Sequence, residues 1–308
     1  MKKMRTHILL TALAVFVSAG LYAQSMQSIC IPSDPATLEL GFLAAGEGAF
    51  APDGAMASSV FRESRLDVAG GYGIWAPSVS GAGTASAGVT GRLGKDRESG
   101  RLDLGLCGKA FLGEKVQSFD ENGAGTGVFK PVEASVSLGA AYRINGVLSA
   151  GVSVKGAYSA LLSSVNAASV AVDISAVYNT GKYMAGLAFT NIGSRISYAE
   201  GVPAGSLPAI LKAGARWEVI DKLKLYCEAD LCMNASSALM ATAGLVLSPA
   251  DMIDIRAGYH YGGTSSIIPS YTAAGLNVKL GPARLRADYI LNSEMLAGTL
   301  QAGIGLSF

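Results

Sequence analysis

The chain has 308 residues, with Lys+Arg 24 against Asp+Glu 23, 50% hydrophobic, 15% charged and with 39 glycines. That balance excludes a disordered chain, which needs low hydrophobicity and high net charge, and a nucleic-acid binder that works by bulk positive charge. High hydropathy with scattered glycine is unusual in a soluble enzyme and points to a membrane.

Residues 1–23 read MKKMRTHILLTALAVFVSAGLYA. Lys2, Lys3 and Arg5 form a basic start, residues 8–17 an apolar stretch of signal-peptide length, and Ala23 a small-residue cleavage position. A retained N-terminal anchor is the alternative. Lipidation at Cys30 is disfavoured, because Ile29 stands where a lipobox takes a small residue. Loss of the leader removes His7 and leaves His260 as the single histidine. No later run of 18 strongly apolar residues exists, so no transmembrane helix is expected. Cys30, Cys107, Cys227 and Cys232 are too few and too irregular for a disulfide scaffold or a paired-CxxC zinc site. Cys227 and Cys232 lie an odd number apart, so on one strand they face opposite ways.

Residues 24–65 do not alternate. Within them 51–64 can hold a short helix with Asp53 as N-cap. Ahead of a barrel such a segment serves as a plug, or else as a periplasmic tail.

From Leu66 to the C-terminus the hydrophobic period is two, the strand signal. In 222–233, Leu223, Leu225, Cys227, Ala229, Leu231 and Met233 fall on one side and Lys222, Lys224, Tyr226, Glu228, Asp230 and Cys232 on the other. In 299–308, Leu300, Ala302, Ile304, Leu306 and Phe308 oppose Thr299, Gln301, Gly303, Gly305 and Ser307. About fourteen segments read this way, starting near 66, 82, 101, 131, 146, 167, 181, 208, 222, 237, 250, 270, 282 and 296. Each spans roughly 10–13 residues, the length of a tilted strand that crosses a bilayer.

The connections alternate too. Every second one is tight, as at Asn145-Gly146 and Gly281-Pro282, while the longer ones fall at 115–130, 159–167, 192–207 and 262–269. The fold class is therefore all-β: a transmembrane antiparallel barrel of about 14 strands over 66–308, with both termini periplasmic. Charged residues such as Asp103, Lys109, Glu133, Lys155, Asp173, Arg256 and Asp288 fall on the lumen side. Tyr72, Trp75, Tyr142, Tyr158, Tyr183, Trp217, Tyr259, Tyr261 and Tyr289 suit aromatic girdles.

Chemistry-bearing motifs are absent. Gly123-Ala124-Gly125-Thr126-Gly127 lacks the strand-to-helix setting and the Lys-Ser/Thr ending of a phosphate loop. Asn234-Ala235-Ser236 matches a glycosylation sequon without a eukaryotic context. His260, with Asp254 and Arg256 on its face, lacks the nucleophile and orienting partner of a hydrolase. No enzyme activity, cofactor or metal is expected, and no nucleic-acid partner.

Four stretches carry a resemblance: ATLELGFLAAGEGAF at 36–50, LDVAGGYGIWAP at 66–77, TNIGSRISYAEGVPAGSLPAILKAGAR at 190–216, and the terminal alternation of Ile304, Leu306 and Phe308. Together they resemble the PorV/PorQ family of bacterial outer-membrane barrels, relatives of the FadL-type transporters. The family's Asn-Pro-Ala turn before strand one is replaced here by Ala57-Ser58-Ser59-Val60-Phe61. The resemblance implies an accessory role in type IX protein secretion of Bacteroidetes. Its partners would be outer-membrane lipid, the barrel-assembly machinery reading Ile304, Leu306 and Phe308, and a translocon with cargo C-terminal domains. Cargo would meet the loops 115–130 and 192–207 through Phe119, Phe129, Ile196 and Tyr198. The alternative is a FadL-like channel for hydrophobic small molecules.

Overall fold

A computed structural model of the protein describes residues 26–308 except 47, 80, 95–98, 120–124, 163–164, 199–203, 234–238 and 264–265. The leader 1–23, Gly123, Ala124 and Asn234-Ala235-Ser236 lie outside the described residues.

Alternation of side chains over strands long enough to span a bilayer leaves two sheet edges, and these meet. Among the described residues there are eighteen strands. The first nine are β1 (Leu66–Trp75), β2 (Ala82–Leu93), β3 (Leu102–Leu112), β4 (Val116–Phe119), β5 (Gly125–Phe129), β6 (Val132–Arg143), β7 (Leu148–Leu162), β8 (Val165–Asn179) and β9 (Tyr183–Gly193). There follow β10 (Arg195–Ile196), β11 (Gly205–Ser206), β12 (Ile210–Ile220), β13 (Leu223–Cys232), β14 (Leu239–Ala250), β15 (Ile253–Gly262), β16 (Tyr271–Leu280), β17 (Ala283–Asn292) and β18 (Leu300–Ser307). Fourteen of them form one closed antiparallel barrel, β4–β5 and β10–β11 standing outside it as two small hairpins. Closure runs from Asp67 opposite Ser307 to Ile74 opposite Leu300. The Phe308 carbonyl accepts the Leu66 N–H at 3.0 Å, tying the chain end into the seam.

The expected starts and the fourteen crossings agree with this architecture. On β13 Leu225 and Leu231 face outward while Tyr226, Glu228, Asp230 and Cys232 are buried. Cys227 is exposed and Cys232 buried, as their odd spacing requires; all four cysteines are free thiols. Ile304, Leu306 and Phe308 all point outward on the last strand or just past it.

Two expectations about the wall fail. The stretch 159–167 is not a long loop: β7 and β8 pair on to Leu162 opposite Val165. Ser159 within it and Ser169 just after it do not break the strands, because both sit on the buried lumen side, where a small polar group is suited. Trp75 is not a girdle residue. Ile74 takes the outward position, so the pleat turns Trp75 inward, into a cluster with Ile31, Leu38 and Tyr271. The eight other tyrosine and tryptophan residues expected in the girdles are exposed on the outer wall.

Residues 26–46 and 48–65 fold inside the barrel with four short helical turns: Gln27–Cys30, Thr37–Leu40, Phe42–Ala45 and Met56–Phe61. Leu38, Met56 and Val60 are buried completely or nearly so. Wall glycines let this backbone come close. A Cβ on Gly151 would meet the Ala57 nitrogen at 2.5 Å, and one on Gly88 the Ala49 carbonyl oxygen at 2.6 Å. At Gly244 and Gly258 the Glu39 carbonyl already fills the space a Cβ would need.

Depth along a strand sets the cost of a charge on the outer face. Leu138 is at the middle of β6, whereas Leu225 is next to the β12–β13 turn. Leu138→Arg is expected to destabilise the barrel by ~2–4 kcal/mol and Leu225→Arg by no more than about 1 kcal/mol. Urea unfolding in lipid vesicles, followed by heat-modifiable migration, measures both; equal costs would contradict the outward facing of the two leucines or their difference in depth.

Candidate functional site

A charged side chain turned into a closed barrel needs a partner, because desolvation costs several kcal/mol per ion. Here wall and plug supply one another. Asp34 of the plug accepts from Arg286 of β17 at 2.5 and 2.6 Å. Asp53 receives Lys109 of β3 at 2.7 Å and Lys155 of β7 at 3.0 Å. Lys155 reaches Asp173 of β8 as well, at 3.0 Å. Glu39 stands 3.6 Å from Arg256 of β15, which also binds Asp288 of β17 at 2.5 Å. Arg62 bridges Asp67 at 2.8 Å and Asp103 at 3.2 Å. The Phe42 N–H donates to Glu228, whose other oxygen takes Lys212 at 3.0 Å.

These environments move the plug carboxyls in opposite directions. Burial alone would raise Asp53, but Lys109 and Lys155 outweigh it and hold the carboxyl below the usual range. Burial, and then the Asp288 carboxylate, push Glu39 well above that range. Asp53 is not the helix cap that its position in the sequence suggests: its side chain accepts from Ser33 at 2.6 Å and from the two lysines. No capping bond forms on the Met56–Phe61 turn.

Three concavities matter. A central cavity of about 90 Å³ lies under the first plug turn, lined by Phe42, Lys212, Glu228, His260 and Tyr271 among others. A larger one of about 290 Å³ opens at the rim away from the chain's C-terminus and is lined by Ile31, Trp75, Phe111, Glu133, Ile268 and Leu296. Ile31 and Ile268 line both, so these two side chains form the partition. The third, about 520 Å³, is a dent on the outer wall between Tyr178, Tyr183 and Trp217, within the aromatic belt rather than the lumen.

His260 lines the central cavity, buried and stacked on Tyr271 at 4.9 Å, with Nδ1 2.9 Å from the Thr242 hydroxyl. Asp254, on the same face, is occupied by Ser248, Asn277 and Lys279. Among the described residues no group of three His, Cys, Asp or Glu is placed to hold a metal ion.

The residues expected to meet a partner separate. Phe119, 64% exposed, ends β4, and Phe129 opposite Val116 ends β5, so this hairpin stands clear of the barrel. Ile196 is fully buried with Met26, Ile29 and Leu207, capping the lumen instead of meeting solvent. Tyr198 packs on that cluster, and its hydroxyl donates to Ser159 at 3.1 Å. Trp75 and Phe111 were missed as lumen residues, although the parity of Asp103 and Lys109 already puts Phe111 on the lumen side.

No family model matches the chain, and no curated protein matches it. Solved structures share its fold. The toluene transporter TbuX of Ralstonia pickettii superposes with a TM-score of 0.58 at 15% identity, covering 89% of this chain and 98% of that one. The toluene transporter TodX of P. putida gives 0.55 at 12% identity, covering 82% and 92%. Another TodX structure gives 0.53 at 15% identity, covering 93% and 94%. The chain thus shares its fold, a closed antiparallel barrel of fourteen strands, with these solved structures.

Removing one partner from a buried ion network leaves uncompensated charge and costs about 3–5 kcal/mol. Asp53→Asn is therefore expected to loosen the plug, leaving Lys155 with Asp173 as its one carboxylate and Lys109 with none. Planar-bilayer conductance of the purified barrel should rise above that of the parent. Unchanged conductance would mean that these ion pairs do not hold the plug.

Proposed function

We propose that this barrel conducts small hydrophobic molecules across a bacterial outer membrane, with its termini in the periplasm and residues 26–65 as the closure. The carrying observation is the 290 Å³ cavity at the loop-bearing rim, where Trp75, Phe111, Ile268 and Leu296 form an apolar wall beside Gln27, Ser28 and Glu133. An apolar cavity of about 150 Å³ already admits benzene. The rim cavity therefore has room for a monoaromatic body, and the central cavity of about 90 Å³ does not. Passage requires the Ile31–Ile268 partition to part and the plug to shift. TbuX and TodX are both described as toluene transporters, which supports this reading over the secretion role.

The orientation rests on the turns. Tight connections such as the Gly281-Pro282 corner share the rim with the chain's C-terminus, as short periplasmic turns do in outer-membrane barrels. Non-enzymatic transport suits a lumen in which most of the buried charged groups pair with one another.

The secretion reading keeps one observation: the hairpin β4–β5 presents Phe119 and Val128, each 64% exposed, beyond the barrel. Such a ledge suits a protein partner, as the PorV/PorQ resemblance implies. A clean deletion in the native host separates the two. Loss of proteins bearing the secretion-type C-terminal domain from the cell surface would favour the secretion role.

For the conduit, proteoliposome uptake of radiolabelled toluene is the direct assay. Ile31→Ala should speed uptake severalfold by thinning the partition, and Ile268→Trp should slow it. Rates that ignore both substitutions would place the route elsewhere.

A further inference from the structure

The rim cavity carries a single charged side chain. Of the described residues that line it, only Glu133 is ionisable; Gln27 and Ser28 are polar and uncharged, and Ile31, Trp75, Phe111, Ile268 and Leu296 are apolar. Glu133 lies directly across from Phe111 in the β3–β6 ladder. Among the described residues its one hydrogen-bond partner is the Ser159 hydroxyl, which donates to the carboxylate at 3.0 Å. Tyr198 in turn donates to Ser159, so a hydroxyl relay holds the carboxylate in place.

The nearest wall cation does not neutralise it. Lys109, one pleat repeat away on β3, gives its ammonium to the Ile29 carbonyl at 2.7 Å, the Ile31 carbonyl at 2.8 Å and Asp53 at 2.7 Å. An ammonium has three donors, and these three acceptors use them all. No ion pair joins Glu133 to any described residue, in a lumen where Asp34, Asp53, Asp67, Asp103, Asp173, Glu228 and Asp288 each have a basic partner.

We propose that Glu133 makes the rim cavity selective for hydrophobic amines, that is, small apolar or aromatic bodies carrying one ammonium group. This rests on the conduit reading and names its substrate class. The ammonium would sit against the Glu133 carboxylate, and the faces of Trp75 and Phe111 would add cation–π attraction in a partly dry site. The apolar body would fill the space toward Ile268 and Leu296. A neutral hydrocarbon fits the same volume but leaves the carboxylate with only its Ser159 bond.

The chain has two tryptophans, and Trp217 faces outward, so Trp217→Phe leaves Trp75 as the reporter of this cavity. Quenching or shift of Trp75 fluorescence in the purified, detergent-solubilised full barrel gives the affinity of 2-phenylethylamine and of its neutral isostere propylbenzene. The amine is expected to bind about tenfold tighter, and Glu133→Gln to bring the ratio near one with propylbenzene unchanged. The glutamine keeps an acceptor for Ser159, and heat-modifiable migration checks that the barrel is intact. Equal affinity of the two probes in the parent, or a ratio that survives Glu133→Gln, overturns the amine selectivity while propylbenzene binding leaves the conduit reading standing. If neither probe reaches Trp75, the conduit reading falls as well.

Discussion

Hydrocarbon offers no partner to a peptide N–H or C=O, and each group left bare there costs several kcal/mol. Every main feature of this protein follows from that. A sheet with lipid on one face has to close, and β1 meets β18 in a continuous ladder that takes in the terminal phenylalanine. Closure fixes an inside, and the pleat then delivers every second side chain to it. The outer face can be Leu, Val, Ile and Tyr because lipid solvates them; the inner face inherits the polar half of each strand.

A lumen made this way is crowded with charge but not open. The wall bases would each be costly alone, and the plug brings Asp34, Glu39 and Asp53 to them. The same contacts that neutralise the wall therefore hold the plug. Glycines at the points of closest approach, Gly88 and Gly151 among them, let backbone pack against backbone where a side chain would hold it off. What remains unfilled is the rim cavity, where apolar side chains meet Gln27, Ser28 and Glu133, and the smaller chamber beneath it, lined by Phe42 and Ile210 as well as by Lys212 and Glu228.

Sequence reasoning reached the fold because a period of two over ten or more residues has few physical solutions. The strand starts, the facing of Cys227 against Cys232 and the inward set of charges were all set by parity alone. It misjudged Trp75 by treating an aromatic near a strand end as an interface anchor, although Ile74 beside it had already claimed the outward position. It misjudged 159–167 because serine and alanine give a weak alternation, and their small size, which suits β7 and β8 on the lumen side, left no hydrophobic mark to read. Ile196 illustrates a different limit: nothing local distinguishes a loop isoleucine that meets solvent from one that folds back over Met26 and Ile29.

By itself, then, the sequence determined an alternating chain that has to close into a barrel of about fourteen strands with charge inside, since backbone satisfaction and pleat parity act residue by residue. Only the tertiary structure decided which charges pair, that Asp53 answers two lysines from different strands, and that Lys109 is exhausted on the plug while Glu133 is not. Those facts depend on residues as far apart as 34 and 286 meeting across the lumen, and no local pattern in the chain encodes which of many possible partners a side chain finds there.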